Sequence, residues 1–216
     1  MISMQKLPED LGEIVLKPSE VLYYLYLPVS MKGDDNWVTD MRLSFLHPLL
    51  EKVRENDPGA FVDNYVYVTA KRMFVGGGVT PNRPGWHADG FLSSDINYVW
   101  YDCIPTLFNK GLFVVEEDHV SSLVQFEEQA DPSNIVTFPD RHLLKLDSSV
   151  VHAVGEATAQ VMRTFIKISV SPNKYNLEGN SHNYILDYNW TMFDRATLRN
   201  DPARAQRDSV DDDHFA

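Results

Sequence analysis

The chain has 216 residues, 44% hydrophobic, 12% aromatic and 23% charged, which excludes disordered and fibrous classes and fits one folded domain over residues 1–216. Nineteen basic residues against thirty-one acidic ones leave a formal charge of −12, a sign that opposes broad binding to nucleic-acid phosphates. The single cysteine, Cys103, excludes an intramolecular disulfide and reads as a small buried hydrophobe.

Met1 to Asp10 lacks the basic and apolar regions of a secretory signal. The apolar run Val21 to Val29 is about half the length needed to span a bilayer. A soluble cytoplasmic protein with no membrane partner is expected. Residues 1–60 form an N-terminal elaboration of helix and strand. Within it, residues 41–56 carry apolar side chains at helical spacing, with a break or kink at Pro48. From Phe61 the texture changes to short runs of Val, Tyr, Phe, Ile and Thr punctuated by Gly, Pro, Asn and Asp, the pattern of short strands. Strands are predicted over 65–74, 96–104, 111–115, 135–138, 143–146, 150–154 and 161–170. The class is mainly β with flanking helices, and the spacing suits a sandwich, jelly roll or barrel over residues 61–172. Residues 173–216 are a polar extension with a short helix near Phe193 to Arg199 and a solvated end at Asp211, Asp212 and Asp213.

Chemistry is sought among seven histidines. His87 and Asp89 stand two apart in Gly85-Trp86-His87-Ala88-Asp89-Gly90, and in an extended segment residues i and i+2 face the same way. An imidazole and a carboxylate presented together suit a borderline divalent metal such as iron, and a second histidine would complete a facial set with open positions. Downstream, an apolar strand with His152 is followed by a polar turn and a longer strand with Arg163. A hairpin centred on Ala157-Thr158 would set His152 opposite Arg163 on one face. A guanidinium in an apolar β core calls for a carboxylate, and a ligand carboxylate held bidentately supplies one.

His87-x-Asp89, then His152, then Arg163 eleven positions later, resembles the Fe(II)/2-oxoglutarate-dependent dioxygenase superfamily over residues 61–172. The resemblance implies a double-stranded β-helix (a cupin-like jelly roll). It implies that His87, Asp89 and His152 hold Fe(II), that 2-oxoglutarate and O2 are cosubstrates, and that Arg163 anchors the far carboxylate. Succinate and CO2 would be released, and the retained Asp89 favours hydroxylation over halogenation. Many members carry Ser or Thr two positions after the arginine where this chain has Phe165, so Tyr65, Tyr67 or Lys167 are the substitutes for the second carboxylate contact.

Trp86, Phe91 and Trp100 are candidates to shape a substrate pocket, and Asn82 and Arg83 lie on a Pro-rich loop from which a polar small molecule, amino acid, peptide or nucleobase could be grasped. Glu117-Asp118-His119 and Asp140-Arg141-His142 read as solvated faces, and Gly76-Gly77-Gly78 as a turn without the lysine of a phosphate loop. Two other classes stay open: a cupin-like metal enzyme that does not use 2-oxoglutarate, and a non-catalytic β-sandwich binding module. Arg163 separates the first from the oxygenase, and metal content separates both from the second.

Overall fold

The structure is a computed structural model and describes residues 1–195. Three strands precede the core: β1 (Ile2–Met4), β2 (Glu9–Glu13) and β3 (Leu22–Ser30). A 3-10 turn over Met41–Leu46 then runs into α1 (His47–Asn56), with Pro48 in the first helical turn. Proline costs nothing there, because its missing N–H would have no partner, and the expected break falls at that residue. A short helix, α2 (Ala60–Asp63), leads to β4 (Tyr65–Val75) and β5 (Ile96–Tyr101). Next come β6 (Thr106–Asn109), β7 (Phe113–Val115), α3 (Ser121–Gln129) and β8 (Ile135–Val136). The last strands are β9 (His142–Leu146), β10 (His152–Val154) and β11 (Val161–Ser171).

Six antiparallel strands form a large sheet in the order β2-β9-β5-β11-β4-β3, and a small sheet runs β10-β6-β8. His87 adds to the free edge of β10 as a single bridge. Along the chain the path therefore alternates between sheets: β4 large, His87 small, β5 large, β6 and β8 small, β9 large, β10 small, β11 large. This alternation is the winding of a double-stranded β-helix, so the architecture is a mainly β jelly roll with flanking helices.

Side-chain alternation assigns the faces of the large sheet. Val66, Val68 and Ala70 of β4, Tyr98 and Trp100 of β5, and Ile166, Ile168 and Val170 of β11 pack outward against Leu49, Leu50 and Val53 of α1. Each such side chain contributes roughly 1.5–3 kcal/mol by leaving water. The opposite, inward face carries Thr69 and Lys71 of β4 and Arg163, Phe165 and Lys167 of β11, with Lys167 opposite Thr69 and Phe165 opposite Lys71. Polar residues at alternate positions of a buried strand mark the side that faces a cavity.

Several features are not legible in the sequence. The strand β6 falls outside every predicted span, the apolar run near Val21 is β3 at the edge of the large sheet, and α3 packs with buried Phe126 on β7, which pairs with β1. The hairpin joining His152 to Arg163 does not form. The strand β10 pairs β6 with His152 against Phe108, whereas β11 is held on both sides by β4 and β5, with Arg163 against Met73. Between them, Gly155 donates to Pro105 O, Ala157 donates to Val79 O and Gly78 donates to Ala157 O. Those bonds tie the connection to neighbouring loops and carry the chain from one sheet to the other. Phe193 lies in a parallel bridge to Leu177; the rest of the helix expected towards Arg199, and Asp211 to Asp213, lie outside the described residues. No helix among the described residues is long and apolar enough to cross a membrane.

Candidate metal centre and its cavity

His87 and His152 face each other across one antiparallel bridge. His87 N donates to His152 O at 2.9 Å and His152 N donates to His87 O at 2.8 Å. A hydrogen-bonded pair of this kind projects both side chains to one side, and the imidazole centroids are 4.5 Å apart. Asp89, two residues on, comes to the same side, followed by Gly90 at φ +69°, where an added Cβ would come within 2.9 Å of Asp95 Cβ. Only glycine fits this turn, which carries the chain away immediately after the carboxylate.

One ligand atom from each of His87, Asp89 and His152 lies within 4.8 Å of the others. The ring orientation follows from the backbone. His87 Nδ1 bonds Gly85 O at 3.0 Å and His152 Nδ1 bonds Val150 O at 3.1 Å. A carbonyl can only accept, so each Nδ1 carries the proton and each Nε2 presents a lone pair. Burial, reinforced by His87, pushes the His152 pKa down to about 4, which keeps the ring neutral near neutral pH. For Asp89, burial would raise the pKa, but Lys167, His152 and His87 outweigh it and hold the carboxyl ionised, well below its ordinary range. Two imidazoles with free Nε2 lone pairs and one ionised carboxylate are the donor set of a non-haem Fe(II) centre, and these residues fit such an ion.

The second feature of the centre is Lys167. Its ammonium donates to Asp89 Oδ2 at 2.9 Å and to the Tyr26 hydroxyl at 3.3 Å, and it lies 5.1 Å from the Tyr26 ring centroid. Burial lowers its pKa, and Asp89 more than restores it. Tyr26 reaches this position through a β-bulge in β3, where the register shifts between Tyr24 and Leu27 and Tyr26 itself takes φ +47°. A non-glycine residue in that conformation is strained, and here it accompanies a phenol hydroxyl that meets the Lys167 ammonium.

Around the centre opens a cavity of about 530 Å³, of the size that takes a metabolite. Lys167, Phe165, Lys71, Asn82, Arg83 and Phe91 line it, and so does His119. His119 is thus not merely a solvated residue: it meets the Phe91 ring edge-on at 5.7 Å. His142 instead pairs with Asp10 at the surface. Cys103 is half-buried.

Other candidates fall elsewhere. Arg163 is 2% exposed, yet it does not line the cavity. Its Nε donates to Cys103 O at 3.0 Å and its Nη2 to Ile104 O at 3.2 Å. Burial lowers its pKa to about 10, opposed by Cys103, Asp102, Tyr101 and Asp140. Trp86 turns into the cluster of Phe91, Phe113 and Phe126. Trp100 lies on the outward face, where its indole N–H donates to Ile14 O, so it does not shape the cavity. Tyr67 stacks on Tyr175 at 4.2 Å, and Tyr65 meets Trp190 edge-on. Neither lines the cavity.

No family model matches the chain, and no curated protein does. Among solved structures it is similar to EvdO2 from Micromonospora carbonacea var. aurantiaca, with 12% identity over 60% of this chain and a TM-score of 0.38. EvdO2 has also been crystallised with 2-oxoglutarate. The match spans 64% of the length of EvdO2. AviO1 from Streptomyces viridochromogenes Tue57 gives 16% identity over 68% of this chain and 73% of that one, with a TM-score of 0.41. A cupin protein from Bacteroides fragilis gives 11%, 59%, 79% and 0.28 for the same quantities. Likenesses at this level carry no activity across, and the fold rests on the chain's own strand order.

Proposed function

We propose that the protein is an Fe(II)/2-oxoglutarate-dependent oxygenase that hydroxylates a small molecule. The observation that carries this reading is the convergence of one ligand atom each from His87, Asp89 and His152 at the wall of a cavity. When bound, Fe(II) with 2-oxoglutarate and O2 would supply the oxidising chemistry, with succinate and CO2 as coproducts. The chain's own residues do the rest. His87 and His152 offer lone pairs because their Nδ1 protons are committed to Gly85 and Val150. Asp89 stays ionised, and Phe91 and Phe165 line the walls beside the centre and exclude water from it. The far carboxylate of 2-oxoglutarate falls to Lys167, assisted by the Tyr26 hydroxyl, because both line the cavity whereas Arg163, two of whose donors bond the Cys103 and Ile104 carbonyls, does not.

Anaerobic addition of Fe(II) and 2-oxoglutarate should produce a weak visible charge-transfer band that His87→Ala and His152→Ala abolish. A wild type that takes up Fe(II) without such a band, and shows no affinity for 2-oxoglutarate, overturns the reading. Lys167→Met should weaken 2-oxoglutarate binding more than Arg163→Met does. A second reading, a cupin-like metal enzyme without an oxo-acid cosubstrate, is favoured by one observation only, the absence of Arg163 from the cavity lining. It predicts metal binding with no response to 2-oxoglutarate.

A further inference from the structure

The cavity differs in charge from the molecule that contains it. The chain carries −12, yet five of the residues lining the cavity are Lys or Arg (Lys71, Arg83, Lys167, Lys174 and Arg195), against two carboxylates, Asp89 and Asp95. Both carboxylates are engaged. Asp89 holds Lys167. Asp95 accepts from Ser171 Oγ at 2.5 Å and from the Tyr175 hydroxyl at 2.6 Å. Fe(II) and 2-oxoglutarate, a dication and a dianion, would cancel each other. That leaves Lys71, Arg83 and Arg195 in the lining, and among the described residues no ion pair joins any of these three to a carboxylate.

Lys71 shows where the excess is focused. It is half-buried on the inward face of β4, diagonal to Lys167 across the β4–β11 ladder. Its ammonium donates to Asn82 Oδ1 at 3.0 Å and lies 5.3 Å from the Tyr23 ring centroid. Both partners are neutral, and among the described residues Lys71 forms no ion pair. Burial, then Lys167 and Arg163, pull its pKa down, so a nearby anion would be welcome. The bond to Asn82 also tethers the loop that presents Arg83, an exposed cavity-lining residue beside it. Arg195, also in the lining, is held by Glu178 O and the Asn180 side-chain oxygen, again neutral groups. A cationic mouth in a low-dielectric wall concentrates anions that the acidic surface repels, and a lysine beside an arginine fork suits a carboxylate or a phosphate.

We propose that the mouth of the cavity, formed by Lys71, Asn82 and Arg83, recognises an anionic group, carboxylate or phosphate, on the molecule to be oxidised. The term substrate here rests on the oxygenase reading; the anion site itself does not. The test is calorimetric titration of the full chain with phenyl phosphate, benzoate and the neutral benzamide, with and without Mn(II) and saturating 2-oxoglutarate. The anions should bind the loaded wild type and benzamide should not. Lys71→Met should weaken anion binding by about tenfold or more and Arg83→Gln by about threefold to tenfold, as loss of a charge-assisted contact requires. Because Arg83 is exposed, its substitution tests the site even if Lys71→Met fails to fold. Lys52→Met, on α1 away from the cavity, should change nothing, and affinity for 2-oxoglutarate should stay within about twofold in both cavity variants. Benzamide binding as well as benzoate, anions simply competing with 2-oxoglutarate, or both cavity variants binding like the wild type would each overturn the proposal. If the anions bind in a Lys71-dependent way but metal and 2-oxoglutarate do not, the anion site stands and the oxygenase reading falls. If metal and 2-oxoglutarate bind and the anions do not, the oxygenase reading stands without this site.

Discussion

Replacing Lys167 with Met separates the two cations that Asp89 can serve. Lys167 is 8% exposed, and its ammonium is 2.9 Å from Asp89 Oδ2. Methionine keeps the apolar stem and removes the charge, which leaves a buried carboxylate unpaired at a cost of about 3–5 kcal/mol. In a chain of this length each kcal/mol moves the melting temperature by about 2–4 °C, so the metal-free variant should melt about 6–20 °C lower near neutral pH. The loss should shrink in acid, where Asp89 can escape by taking up a proton. A divalent ion supplies the missing positive charge, so Mn(II) should raise the melting temperature of Lys167→Met more than that of the wild type, where it shares Asp89 with the ammonium. Differential scanning calorimetry of both proteins with and without Mn(II) gives the four values needed. Equal metal-induced shifts, or a metal-free variant as stable as the wild type, would refute the idea that Lys167 and the metal draw on the same carboxylate.

Acid should destabilise the metal-free protein through His152. Its folded pKa, about 4, lies below its ordinary 6.5, so the unfolded chain binds the extra proton; this stability is complete above about pH 6.5 and disappears towards pH 4, amounting to about 3 kcal/mol. Urea unfolding against pH should show that slope in the wild type and a shallower one in His152→Gln. Cys103 should react slowly with Ellman's reagent at pH 8 in the folded state and rapidly in urea, because burial and then Asp102 push its thiol up to about 12; equal rates would contradict this. Asn183 donates from Nδ2 to Pro28 O and to Val38 O, both at 2.9 Å, and so straps the segment after the core to β3. Asn183→Ala should cost about 1–3 kcal/mol, and limited proteolysis should then cut beyond residue 173 sooner than in the wild type.

The clustering of His87, Asp89 and His152 is legible in the sequence to the extent that it is local. His87-x-Asp89 shares a face because of strand periodicity, and no tertiary information is needed to see it. The partner of His152 could not be read in the same way. In a jelly roll consecutive strands belong to different sheets, so the nearest downstream strand is the wrong one, and the residue opposite His152 comes from 65 positions upstream. The same non-locality misplaced Arg163. Period-two alternation on β11 correctly sends Arg163 and Lys167 inward, but only their partners in space tell them apart: Arg163 bonds the carbonyls of Cys103 and Ile104, on the turn between β5 and β6, and Lys167 bonds Asp89 at the cavity wall. Tyr26 escaped notice because a bulge, invisible in Leu-Tyr-Tyr-Leu-Tyr-Leu, reverses the alternation that would place it. The strand β6 was missed because four residues between Pro105 and Lys110 carry too short a pattern to register.

The reciprocal backbone bonds between His87 and His152 have a further consequence. Two imidazoles on separate flexible loops would each have to be frozen by the incoming ion, and every rotor stilled would weaken binding. Here the main chain has already joined them into one bidentate unit, and the Gly85 and Val150 carbonyls have chosen each ring's tautomer. If the proposed ion binds, it meets a template already formed, and capture should require little more than a small adjustment of the Asp89 carboxylate and its lysine.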